Sequence, residues 1–192
     1  MTVRYAQYVF VAASAACLCL LAQDLVLRRS TDQVRVSAPR LHFLTGKPLE
    51  RMRNGASVTY DMQLTVYAEN RLSVLRRGFE RFVVSYDLWE EKFSATRMHS
   101  ARTSASHLTA DAAESWCLDN LSIPVAGLPL DKPVYLRLEV RAQEPRDRRP
   151  SEDDEGISLA RLIDIFSKAG NPVSGGQWRA EAGPVLLQNG KP

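Results

Sequence analysis

The segment SVTYDMQLTVYAE, residues 57–69, alternates apolar and polar positions. Val58, Tyr60, Met62, Leu64, Val66 and Ala68 fall on one side. Ser57, Thr59, Asp61, Gln63, Thr65 and Glu69 fall on the other, where Tyr67 is the only apolar residue. This period predicts an antiparallel strand with one dry and one wet face, because a buried parallel strand would be apolar on both. The pattern returns from Phe79 to Leu88, with Phe82, Val84, Tyr86 and Leu88 inward. It returns again at 133–142, where Val134, Leu136, Leu138 and Val140 point inward and Tyr135, Arg137, Glu139 and Arg141 outward. Shorter runs at 33–38 (QVRVSA), 92–98 (KFSATRM) and 175–187 (GGQWRAEAGPVLL) read as further strands, with LHF at 41–43 continuing the first.

Helical spacing is confined to three places. TGKPLERMRNG, 45–55, holds one or two turns: Pro48 suits a first position, Leu49 and Met52 share a face, and Gly55 stops it. LTADAAESWCLDNL, 108–121, puts Ala113, Trp116, Cys117 and Leu121 on one face, and Asp111 with Glu114 suggests a reciprocal N-terminal cap. ISLARLIDIFSKAGNP, 157–172, buries Leu159, Leu162, Ile163 and Phe166 and ends at Gly170. Between these elements, NRLSVLRRG (70–78) reads as a basic connection or frayed strand end. HSARTSASH (99–107) reads as a polar loop, and the charged stretch 144–156 as a disordered loop. The expected fold is mainly β: about six antiparallel strands in one sheet or a β-sandwich, with two or three short helices. An α+β arrangement is the alternative.

The N-terminus changes the picture from fold to location. Tyr8 to Ala22 carries no charge, follows a short head with one arginine, and precedes Gln23-Asp24. It is short of the roughly 20 apolar residues that span a bilayer. Residues 1–22 therefore read as a cleaved secretory signal or an uncleaved membrane anchor. Residues 8–27 offer the means of membrane association. Ser14-Ala15-Ala16 before Cys17 leaves lipidation at Cys17 open. Residues 23–32 read as a linker, 33–187 as one β-rich domain, and 188–192 as a tail. Past the targeting segment Cys117 alone remains, so no internal disulfide forms, and it reads as a small buried apolar residue.

A net charge of +3 is too mild for a nucleic-acid binder, and the arginines are not interleaved with aromatics. Phosphate-loop, GxSxG, HExxH and paired CxxC motifs are all missing. His99, His107 and Asp111 fit no standard metal-ligand spacing, so neither a metal nor a cofactor is expected.

RFVVSYDLWEEKF, 81–93, sets aromatic rings beside carboxylates. A glycan hydrolase would use Glu90 or Glu91 as general acid, with Asp87 or Asp61 as partner and Tyr86 and Trp89 as stacking platforms. Alternation instead puts Tyr86 in the core and leaves Trp89, Glu90 and Glu91 at a corner between strands. A second candidate is the basic group Arg71, Arg76, Arg77 and Arg81, with Arg51 and Arg53, facing an anionic surface or remaining a solvated edge.

The strand RFVVSYDLWEEKF, the long alternating strand after an RNG turn, the strand PVYLRLEVRA and the tryptophan of GGQWRAEAG resemble an uncharacterised group of bacterial exported proteins carrying a domain of unknown function. The resemblance covers roughly 33–187 and implies a β-rich envelope domain without an assigned activity. Together these observations lead to an exported or membrane-tethered, non-enzymatic module that binds a protein or envelope component. Its candidate binding residues are Trp89, Glu90, Glu91, Arg76 and Arg77. An envelope glycan hydrolase and a membrane-anchored ligand sensor are the alternatives.

Overall fold

The computed structural model describes residues 25–30, 32–99, 101–144 and 176–189. The expected targeting segment, the helix over 157–170 and all of the charged loop but Glu144 lie outside them. In chain order the elements are β1 (Val26–Arg29), β2 (Gln33–Ser37), α1 (Gly46–Arg53), β3 (Val58–Tyr67), β4 (Val74–Asp87), β5 (Lys92–Arg97) and β6 (Thr103–Leu108). They continue with α2 (Ala110–Asp119), β7 (Ile123–Pro124), β8 (Pro133–Ala142) and β9 (Gln177–Leu186).

The strands form two antiparallel sheets. A six-stranded sheet has the order β6-β5-β4-β3-β8-β9, and a three-stranded sheet the order β1-β2-β7. The inward residues of β3, β4 and β8 join Leu27, Val34, Val36 and Ile123 of the small sheet and Ala113 and Cys117 of α2 in one apolar core. The fold is thus mainly β and sandwich-like. Among the described residues no helix is long and apolar enough to cross a membrane.

The periodicity places Val58, Tyr60, Met62, Leu64, Val66, Phe82 and Val84 inward, and all are buried. Four expectations are corrected. First, the polar face of β3 is not wet. Asp61 is 1% exposed, and Thr65 and Gln63 are buried as well. The strand lies centrally, with Arg81, Phe79 and Arg77 of β4 opposite Asp61, Gln63 and Thr65 on one side, and Arg141, Glu139 and Arg137 of β8 on the other. Arg81 makes a two-pronged bond to Asp61 at 2.7 and 3.1 Å, and Gln143 donates to the same carboxylate at 2.8 Å. Burial of a carboxylate is tolerable only with such partners.

Second, two stretches read as connections are paired strand. β4 begins at Val74 inside the basic segment, and β6 occupies most of the polar loop at 99–107. In the first, Leu72, Val74 and Leu75 do not sustain an alternation, and the second holds no apolar residue larger than alanine, so neither shows the strand period. The stretch read as linker contains β1, which pairs with β2 and buries Leu25 and Leu27. Third, Leu88 is 56% exposed, because β4 ends at Asp87 and the chain turns. Tyr86 is half-buried, packed on Phe93 with ring centroids 4.8 Å apart. Fourth, α2 is capped by Thr109, whose side chain accepts the N–H of Ala112. Glu114 turns away to a distant loop.

Candidate functional site

The β4–β5 connection is a four-residue hairpin loop, since Asp87 pairs with Lys92. Its form is set by Asp87. One oxygen of that carboxylate accepts the N–H groups of Trp89 at 2.8 Å and Glu90 at 3.1 Å, a short-side-chain mimic of a backbone turn. The N–H groups of Glu90 and Trp89 hold the Asp87 carboxyl below the usual carboxylate range. Glu91 closes the loop in the left-handed region at φ 53°. Glu90 reaches across to β6, its Oε2 lying 2.6 Å from Nδ1 of His107.

A pinned loop of this kind displays rather than buries its side chains. Trp89 is 96% exposed. The structure brings Trp89, Glu90 and Glu91 together with Leu88 and His107 at one projecting tip. Glycosidase carboxylates face each other about 5–10 Å apart across a sugar. Here Glu90 is engaged with a histidine and Glu91 stands exposed. Tyr86 packs beneath the loop rather than beside them, and Asp61 is committed to Arg81.

The six arginines grouped by sequence separate in space. Arg81 is bound to Asp61, and Arg51 donates to the Gln143 carbonyl at 2.9 Å. Arg51 and Arg53 lie on α1, which leads into the end of β3 that pairs with Val84. Arg71, Arg76 and Arg77 lie at the opposite end of β3–β4. Arg76 donates to the Ala126 carbonyl at 2.8 Å, and the Arg71 guanidinium sits 4.0 Å over the Tyr135 ring. Arg77 is exposed beside Thr65. The candidate residues Arg76 and Arg77 are thus a different surface from Trp89.

The histidines considered for a metal are apart as well. His107 serves Glu90, and His99 stacks edge-on against Phe79 with centroids 5.7 Å apart. Asp111 instead approaches His42, a residue that no motif singles out. Candidate ligand atoms of His42, Asp111 and Glu114 lie within 4.8 Å of one another. Hydrogen bonds tie two of the three, His42 and Glu114, into the fold. Glu114 Oε1 accepts the N–H groups of Phe43 at 2.6 Å and Leu44 at 2.8 Å, while Oε2 meets His42 Nδ1 at 3.0 Å. The carboxylate staples the loop after β2 onto α2. Beneath it, burial pushes the Tyr60 hydroxyl and the Cys117 thiol to higher pKa, with the Glu114 charge adding to both. A thiol so placed stays protonated and is a poor nucleophile.

No family model matches the chain, and no curated protein or solved structure shows significant similarity to it.

Proposed function

We propose that this protein is an exported or membrane-tethered binding module that engages a protein or envelope component through the β4–β5 hairpin. The observation that carries this reading is Trp89, 96% exposed on a loop that Asp87 and the Glu90–His107 pair hold in one shape. Solvent exposure of a whole indole is unfavourable, and tryptophan is among the residues that most often anchor interfaces. A pre-ordered loop loses little conformational freedom on binding. The acidic rim of Asp87, Glu90 and Glu91 favours a partner with a basic border around an apolar pocket. The location rests on the charge-free segment Tyr8–Ala22.

The test is crosslinking from a photoreactive residue at position 88 in envelope extract. A species captured by the wild type and lost with Trp89→Ala supports the module. Capture unchanged by that substitution counts against it. Release of reducing sugar from cell-wall glycan that is abolished by Glu90→Gln would turn the assignment to a hydrolase.

A further inference from the structure

At the far end of β4 the chain makes a second ordered turn, Ala68–Ser73. The Asn70 side chain accepts the N–H groups of Leu72 and Ser73, both at 3.0 Å, and donates to the Ser73 hydroxyl at 3.1 Å. Ala68 donates to the Ser73 carbonyl at 2.8 Å, and Arg71 donates to that of Ala68 at 2.9 Å. Arg71 takes the left-handed conformation at φ 57°. The result is an apolar tip: Leu72 is 86% exposed, with Val74 and Leu75 exposed behind it. Leu75 is unpaired, because the register skips from Val66↔Arg76 to Tyr67↔Val74.

Charge surrounds this tip with one sign in excess. Arg71, Arg76, Arg77 and Lys132 outweigh Glu69 and Asp131. Arg71 lies on a neutral ring and Arg76 on a carbonyl, so both are oriented without being neutralised. Among the described residues no carboxylate forms an ion pair with Arg71, Arg76 or Arg77. The Trp89 tip has the reverse balance, with Asp87, Glu90 and Glu91 set against Lys92. The 14-residue β4 separates the two tips by roughly 40 Å at about 3.3 Å per residue.

We infer that the Leu72 end is a docking surface for an anionic phospholipid bilayer. Leu72 enters the headgroup–acyl boundary, and Arg71, Arg76 and Arg77 meet lipid phosphates. Three features favour lipid over an acidic protein. Leu72 stands 86% exposed on a turn at the end of the sheet, which suits a deformable interface. Leucine and valine are under-represented among protein-interface anchors. Arginine stems lie along apolar surface while their heads reach headgroups. The inference does not depend on the Trp89 hairpin being a binding site.

The experiment uses the full chain carrying Leu72→Trp with vesicles of phosphatidylglycerol and phosphatidylcholine, or of phosphatidylcholine alone. On anionic vesicles the added indole emission shifts to the blue and is quenched by bromolipids. About 0.5 M salt, which screens exposed charges within a few ångströms, reverses both effects. Replacing Arg71 and Arg77 by serine lowers the partition coefficient roughly thirtyfold. Leu72→Asp gives the complementary loss without relying on a new fluorophore. An indole at position 72 that stays unquenched on anionic vesicles overturns the inference. So does equal binding to neutral and anionic vesicles, which would assign binding to the segment 8–22. Affinity for a soluble acidic protein without any for vesicles also overturns it.

Discussion

The Glu114 carboxylate on α2 accepts the backbone N–H of Phe43 at 2.6 Å, joining residues 71 positions apart in the chain. Its side chain is 7% exposed, so water does not compete for the bond. The same oxygen takes the Leu44 N–H, and the other meets His42. Glu114→Ala leaves two buried N–H groups without an acceptor, and the expected loss is about 3 kcal/mol of unfolding free energy. Glu114→Gln retains an acceptor oxygen and loses less. Urea denaturation of both variants checks the order; equal losses would mean that the carboxylate only fills space.

Asp61 and Arg81 are the corresponding tie on the opposite face of the large sheet. Asp61→Ala strands the arginine and Gln143 and is expected to cost about 3–4 kcal/mol, as for other pairs broken by losing one buried partner. Replacing both residues by apolar ones of similar volume costs less than the single change. A double-mutant cycle in urea measures the coupling. Additive losses would show the pair to be unimportant to the face.

Gly78 is needed for space. A Cβ there would meet Ile123 Cγ1 and the Ser122 carbonyl oxygen, each at 2.8 Å. One of the two is backbone, so β7 must lift from β4. Gly78→Ala is expected to lower stability by about 1–3 kcal/mol, the usual range for overpacking. Thermal unfolding reports it, and an unchanged midpoint would show that β7 sits loosely.

Asp87 predicts an acid limit for the hairpin. Its folded pKa is depressed by the N–H bonds from Glu90 and Trp89. The stabilisation is therefore complete above the ordinary aspartate value of about 3.9 and is lost as pH falls through the lower folded value. The Trp89 and Glu90 amide signals in an NMR titration should move together in that acid range while β3 amides stay fixed. Asp87→Ala should abolish the transition and leave the Trp89 amide exchanging faster at neutral pH. Persistence of the transition in that variant would assign it to another group.

Alternation along β3, β4 and β8 selected the core-facing residues, on β4 up to Val84, but carried on to Leu88, beyond the end of β4, because it reads faces and not where a strand stops. It also removed Tyr86 from the candidate site and located the corner at Trp89-Glu90-Glu91. In Val26–Arg29 and Val74–Gly78 the apolar residues sit side by side instead of alternating, and Thr103–Leu108 is mostly small and polar, so the same rule had no contrast to work with. Those strands form through backbone pairing with their neighbours. The acid pair on α2 misled for a related reason. Asp111 and Glu114 have cap spacing, but Thr109 already fills the cap, and Glu114 faces a loop that sequence distance conceals.

The sequence by itself determined a mainly β chain, the inward set of its long strands apart from Leu88, and the residues of the Trp89 corner, since these follow from local period and turn chemistry. Tertiary structure decided the rest. It buried Asp61, Gln63 and Thr65 on a face that alternation marks as wet, because a central strand is covered by long side chains from both neighbours. It divided one run of arginines between two ends of the sheet, since antiparallel pairing folds the chain back on itself. It also turned Trp89 fully to solvent, because a four-residue loop projects beyond the sheet and leaves nothing for the ring to pack against.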